Sequence, residues 1–478
     1  MTLATPLLAH PRGLPALDAA TSSSLARRCA LALVWLTIAS SGVVFSEPAP
    51  VDALTLGLVV LLPVIGLTRI TPSLVTMLAL WLVVGATGLL AATLASDLAK
   101  AVTHTAVSIY LYAAAFVLAA FVAARPQAHA RLVLDAWTWA ATIAAATALT
   151  GYFSLVPGAE EQFTRFGRGS GTFKDPNVLG AFLVLPILYA LHRVLHAPLP
   201  RALIALGIAG MLGLALLVTF SRGAWINLAL AVVVYGWLSL VTTRQAIVRW
   251  RLAAAATLAA LTLAGLLGVA MQDERIASLL AERASLTQSY DVGPEGRFGG
   301  QGKALDLVAL NPLGIGALEF AATHHHEEAH NVYLSMGLNA GWLGGGVYLV
   351  LVGLTLVLGA RHLLAATAIR PLLIVAYAAF LAHAVEGLVI DTDHWRHFYL
   401  LMALVWGLMA SAEPAPATPV PRPSTILRAL RLPTLAGGPP LARPTSPRAL
   451  RPAPAPRPTV SGPAMARAAP PAPRRDAA

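Results

Sequence analysis

The chain alternates long apolar runs with short polar breaks, and it does so about twelve times. Apolar segments lie near 29–46, 52–68, 72–94, 103–124, 132–155, 177–196, 201–220, 223–242, 251–271, 331–360, 371–390 and 397–411. Runs of this length suit helices crossing a hydrocarbon layer of roughly 30 Å. They are built from Ala, Leu, Val and Gly, with no strict alternation of apolar and polar positions. That pattern predicts transmembrane helices rather than a barrel. The expected fold is all-α, a polytopic integral membrane protein of about twelve helices with one large periplasmic loop.

Composition agrees with the pattern. Hydrophobic residues make up 57% of the chain and charged residues 12%, about half the charged share of a soluble domain. A lone cysteine, Cys29, excludes an intramolecular disulfide framework and any multi-cysteine metal site. The net charge of +11 comes without a basic groove interleaved with aromatics, so no nucleic-acid partner is expected.

Charge placement sets the expected orientation. With the N-terminus in the cytoplasm, Arg27, Arg28, Arg69, Arg125, Arg131, Arg193, Arg201, Arg244, Arg249, Arg251, Arg361 and Arg370 all fall on the cytoplasmic side, as the positive-inside rule requires. Glu47, Asp52, Asp97, Glu160, Glu161, Asp175, Asp273 and Glu274 fall on the other side. The acidic side is therefore expected to be the non-cytoplasmic one. The first span lacks a convincing small-residue cleavage site and reads as a signal anchor. Residues 1–28 form a cytoplasmic segment, 29–411 the membrane domain with its large loop at 272–329, and 412–478 a Pro-, Ala- and Arg-rich tail. That tail composition cannot bury a core and predicts disorder.

Candidate chemistry gathers on the acidic side. His330 stands where the large loop meets an apolar run, and a neutral imidazole there can take up a proton. Arg222, in the short hairpin Phe220–Gly223, reads either as an interfacial arginine or as a phosphate clamp, with Ser221 adding a hydroxyl. Arg297 lies among glycines that allow close backbone approach to a ligand. Arg165, Arg168, Arg275, Arg283 and Arg396 add to an anion-attracting rim. The glycine-rich stretch 165–177 carries Lys174 and Asn177 but no nucleotide-binding pattern, and Asp175-Pro176-Asn177 reads as a helix start. In His324–Glu328 the adjacent histidines are expected to point apart, so no metal is assigned. His383 and Glu386 share a helix face inside a span. Asp391–Arg396, which includes His394, closes an outer turn and orients an acceptor sugar or simply seals the bundle.

The order of these motifs resembles the superfamily of O-antigen ligases and O-antigen polymerases. Its pattern of His, then Asn, Ser or Gln, then nine residues, Gly, two residues and a Gly, Thr or Tyr fits His330-Asn331, Gly341 and Gly344. Ser221-Arg222-Gly223, the Gly171–Asn177 stretch and Asn311–Gly316 also resemble the family. The resemblance implies a metal-independent, cofactor-free membrane glycosyltransferase. Its donor is a glycan on undecaprenyl pyrophosphate at the periplasmic face. Its acceptor is lipid A–core or a growing polysaccharide, and membrane lipids surround it. His330 serves as base, Arg222 and Arg297 stabilise the departing pyrophosphate, and Asn331 belongs to the substrate site. Ligation, polymerisation and protein glycosylation remain open at this point. A transporter is a rival of another class, weakened by the lack of a clear internal repeat.

Overall fold

A computed structural model of the chain describes residues 19–274, 277–278 and 293–412. Among these, twelve helices of fifteen residues or more occupy the twelve apolar segments. They are α1 (Ala19–Ser40), α2 (Pro50–Val64), α3 (Pro72–Ala92), α4 (Leu98–Ala124), α5 (Pro126–Tyr152), α7 (Pro176–His196), α8 (Leu199–Val218), α9 (Arg222–Thr242), α10 (Ala246–Ala270), α12 (Val332–Leu364), α13 (Arg370–Glu386) and α14 (Arg396–Ala410). Eight of the described helices are long and apolar enough to cross a membrane: α3, α4, α5, α7, α8, α9, α10 and α12. The other four are α1, which carries Arg27 and Arg28 near its start, and the shorter α2, α13 and α14, of 15, 17 and 15 residues. The remaining elements are short: α6 (Ala159–Phe163), a hairpin of β1 (Thr164–Arg165) and β2 (Arg168–Gly169), α11 (Arg297–Leu310) and a π-helical turn at Phe320–His324. The expected disordered tail, apart from Ala412, and Arg275 and Arg283 lie outside the described residues.

Local sequence explains where helices begin. Pro50, Pro72, Pro126 and Pro176 open α2, α3, α5 and α7, the position where a missing N–H costs nothing. Side-chain caps open three others and reinforce α7. Asp97 accepts from the Lys100 N–H, Asp175 from Asn177, Ser221 from Ala224, and Asn331 from Tyr333 and Leu334. Each cap satisfies donors that a helix start leaves open.

The core is the bundle of α4, α5, α7, α13 and α14, with α3 and α12 against it. In lipid, helices associate through close packing of small residues. Gly407 of α14 shows this: a Cβ there would lie 2.6 Å from the Ala119 carbonyl oxygen of α4. Gly344 of α12 likewise sits where a Cβ would meet Thr87 of α3. Trp81 stacks on Tyr112 at 4.1 Å, with Tyr348 and Tyr399 tilted against it.

α12 is broken at Gly341, whose φ of 67° and ψ of −173° interrupt the helix. The Asn311–Gly316 turn enters this break. The Trp342 N–H donates to the Pro312 carbonyl at 2.9 Å, and the Ile315 N–H donates to Leu338 at 2.8 Å. A side chain at position 341 would collide with Pro312 and Leu313 and would have to adopt the left-handed region. The glycine spacing after His330-Asn331 therefore has a structural meaning: one glycine makes the break and the other lets α3 approach.

The two ends of the bundle differ in charge. One end gathers the segments before α2, α4, α7, α12 and α14, through Lys174–Glu47, Arg396–Asp52, Ser96–Glu319, His104–Asp393 and His330–Asp391 contacts. The opposite end is arginine-rich. There Arg251 donates to the Ala197 carbonyl at 2.7 Å and Arg370 to the Thr242 carbonyl at 3.2 Å. Asp135 is an acid near that end, and Arg193 lies 3.8 Å from it.

Candidate active site

His330 sits at the acidic end, one residue before the Asn331 cap of α12. Its φ of 48° is left-handed, which is uncommon for a residue other than glycine. Such backbone persists only where surroundings hold it. Here they do. The His330 N–H donates to Asp391 Oδ2 at 3.0 Å, and Gln301 Nε2 donates to the His330 carbonyl at 3.1 Å. Gln301 also donates to the Leu388 carbonyl at 3.2 Å, so α11 is tied at one point to both the His330 turn and the end of α13.

The imidazole lies between two carboxylates. Nε2 is 3.1 Å from Glu327 Oε2, and Nδ1 is 3.8 Å from Asp391 Oδ2. The ring is 28% exposed, open enough for a substrate hydroxyl to reach. A carboxylate on one ring nitrogen fixes the tautomer and leaves the other nitrogen to exchange a proton. Asp391 is in turn held by the Ser335 hydroxyl, and burial, with Asp393 nearby, pushes its carboxyl up. Burial also works to raise Asp393, but His104 and His394 outweigh it and hold that carboxyl below its ordinary range. Glu328, two residues before His330, is pushed up to about 7 by burial, with Asp391 and Asp393 adding to the effect. Asp391 was expected only as part of the outer turn, Glu327 and Glu328 only as part of the histidine-rich run, and none of the three, nor Gln301, as a partner of His330. A carboxylate three residues before His330, and an amide four residues after Arg297, were the available signals.

Arg297 is the first residue of α11, after Gly296, and it is half-buried. Residues four apart share a helix face, so Arg297 precedes Gln301 on the face that meets the His330 turn. Arg222 is the first residue of α9. Its neighbour Gly223 packs on Glu386, where a Cβ would lie 3.1 Å from Oε1. Asn227 of α9 donates to the same carboxylate. The Val332 N–H donates to the Gly387 carbonyl at 2.9 Å. The end of α13 thus touches both the helix that begins at Arg222 and the helix that follows His330. Glu386 and His383 do not pair with each other: His383 Nδ1 and Nε2 face the carbonyls of Ala379 and Ala181.

The other expected site residues fall into separate groups. Lys174, His394 and Arg396 line one cavity of about 300 Å³, together with Asp391 and a wall of apolar side chains from α1, α2, α4 and α7. Arg396 is clamped there: Nε and Nη2 hold Asp52 at 2.6 and 2.7 Å, and Glu47 is 3.4 Å away. Lys174 lies 3.5 Å from Glu47. His394 stacks on His104 at 3.9 Å and contacts Ser108 at 2.9 Å. Arg168 and Asn177 form a second group, with Arg168 donating to the Thr219 carbonyl at 2.6 Å and to Asn177 Oδ1 at 2.7 Å. These two bonds tie the hairpin to the α8–α9 turn beside Ser221. Arg165 is exposed on β1, next to Phe166, which is 92% exposed at the hairpin tip. The hairpin was not expected from the sequence. Its turn places Phe166 and Gly167 both at positive φ, the geometry that suits tight hairpins.

Among the described residues, two clusters have donors suited to a metal ion: His104, Asp393 and His394, and Glu295, His325 and His326. The second runs against the expectation that adjacent histidines diverge. The chain bends at His326–Glu327, and the two rings lie 4.4 Å apart with Glu295 facing both. Lys303, 2.6 Å from Glu295 Oε1, holds that carboxyl below its ordinary range.

A family model described as O-antigen ligase matches residues 206–349. The matched stretch includes Ser221, Arg222, Arg297, His330, Asn331, Gly341 and Gly344. No curated protein matches the chain. The many-helix apolar bundle, the motif in its expected order and the match over 206–349 together make that stretch similar to the O-antigen ligase family and support the O-antigen ligase and polymerase superfamily.

Proposed function

We propose that this protein transfers a glycan from a lipid-linked pyrophosphate, undecaprenyl pyrophosphate in bacteria, to an acceptor hydroxyl at the periplasmic face, in the manner of an O-antigen ligase. One observation carries the reading most: the His330 imidazole is held between Glu327 and Asp391 on a backbone braced from α11 and α13. In this scheme the acceptor hydroxyl gives its proton to His330 and attacks the anomeric carbon. The bond to the pyrophosphate oxygen breaks, and the charge that builds on it is met by Arg222 and Arg297. Guanidinium groups stay protonated and grip phosphate oxygens bidentately, so no metal enters this step. A single displacement inverts the anomeric centre.

Lys174, His394 and the clamped Arg396 border the cavity that reaches Asp391, which suits an acceptor lying beside the base. Arg168 and Asn177 brace the turn that carries Ser221 and Arg222. The arginine bias of the opposite end supports periplasmic placement.

The test is the surface-glycan profile of a deletion strain complemented with wild type or His330→Ala. Loss of long lipopolysaccharide with accumulation of lipid-linked polymer supports ligation, and His330→Ala then fails to restore it although the protein inserts. Short, single-unit products would instead assign polymerisation. Restoration by His330→Ala would remove His330 from the chemistry. A general base of this kind contributes about 10²–10⁴-fold, so residual product should be below roughly one per cent of wild type.

A further inference from the structure

We propose that Glu295, His325 and His326 form a binding site for a divalent transition metal, zinc being the best chemical fit, that fastens the start of α11 to the turn leading into His330. The site is separate from the transfer chemistry and does not depend on that reading.

The geometry begins with His325. Its side chain is 2% exposed, and its Nε2 has no hydrogen-bond partner among the described residues. A buried polar atom without a partner is costly and calls for an explanation. The other ring nitrogen, Nδ1, meets the Glu327 backbone, 3.1 Å from its carbonyl oxygen and 3.3 Å from its N–H. The tautomer whose Nδ1–H donates to that carbonyl presents a lone pair on Nε2, the arrangement metal-bound histidines generally adopt, and an ion at Nε2 would select it. The ring is also fixed in place. It packs on Phe320 at 5.7 Å between centroids, and it lies over Gly300 of α11, where a Cβ would come within 3.1 Å of Cε1.

The remaining donors converge on that lone pair. Glu295 Oε2 lies 3.8 Å from His325 Nε2 and 3.7 Å from His326 Nδ1. One donor atom from each of the three residues falls within 4.8 Å of the others. Tetrahedral zinc with bonds of about 2.0–2.2 Å separates its ligand atoms by about 3.4 Å, so a shift of a few tenths of an ångström closes the two measured pairs. Lys303 occupies Oε1 of the same carboxylate at 2.6 Å and leaves Oε2 to the imidazoles, as an orienting outer partner does. Two imidazoles and one carboxylate are a zinc-type donor set, with water completing the fourth position. In the other cluster the donors are already hydrogen-bonded, His104 to Asp393 and His394 to Ser108, so it needs no ion.

The experiment uses the full chain in detergent, purified through a tag without histidine, stripped with chelator and titrated with zinc chloride. One equivalent is expected to remain bound after gel filtration, measured by elemental analysis. Cobalt(II) in its place should give the intense visible bands of a four-coordinate ion. Glu295→Gln and His326→Ala change exposed side chains and should preserve folding, checked by gel filtration. Each is expected to weaken binding by at least tenfold. Zinc below a tenth of an equivalent in the wild type, or undiminished binding in both variants, would overturn the proposal; the latter would send the ion to another site.

Discussion

His330 and Glu328 show how far single residues could be read from the chain. The position of His330 at the mouth of an apolar run was legible, because an ionisable side chain there stands out against its neighbours. Its two carboxylate partners were not equally so. Glu327 is three residues away, but Asp391 is sixty-one residues away and arrives only through packing of α13 and α14. The environment of Glu328 was illegible for the same reason. Its carboxyl is pushed up from an ordinary 4.5 to about 7, so the folded protein holds a proton that the unfolded chain releases. That stabilisation is complete below about pH 4.5 and is lost as pH rises through 7. The apparent melting temperature followed by tryptophan fluorescence should therefore fall between pH 5 and pH 8. Glu328→Gln keeps a neutral side chain at every pH and should flatten that fall. Parallel profiles for the two proteins would show that Glu328 does not carry the linkage. Asp391, raised in the same direction, contributes with the same sign, so flattening should be partial.

At the scale of elements, apolar length foretold the helices but not their interruptions. The break in α12 at Gly341 sits within a run that hydropathy reads as continuous, because a glycine at positive φ leaves no mark on apolarity. Its cause is the Asn311–Gly316 turn wedged against it. Gly341→Ala would force a methyl against the Pro312 carbonyl, 2.5 Å from Cβ, on left-handed backbone. We expect a loss of about 1–3 kcal/mol, read as a lower melting temperature. Gly346→Ala in the same helix, with open space around the new Cβ, should be neutral or slightly stabilising. Equal effects at the two positions would mean that the break does not bear on stability. The His325–His326 pair is a second case in which local geometry was misjudged from sequence: a bend, not a regular backbone, sets those two rings.

For the whole molecule, alternation of arginine-rich and acid-rich breaks foretold the sidedness seen at the two ends of the bundle. In a Cys29→Ser background, a membrane-impermeant maleimide should label Phe166→Cys at the hairpin tip in intact spheroplasts. Arg244→Cys, at the opposite end, should react only after lysis. The reverse pattern would invert the orientation. One further consequence follows from the 15 residues of α2. At 1.5 Å per residue α2 is about 22 Å long, short of a hydrocarbon layer of roughly 30 Å, and its Leu56, Val60 and Val64 are exposed along one side. Where α2 faces lipid, local thinning of the bilayer would meet this mismatch. Asp52 near its start holds Arg396 on the border of the cavity, so such thinning would lie next to that cavity. Under the proposed function, a prenyl-anchored headgroup drifting into such a depression would meet the reaction centre without being lifted out of its leaflet. Turnover in nanodiscs should accordingly decline as acyl chains are lengthened, and a rate indifferent to bilayer thickness would count against such a sunken entrance.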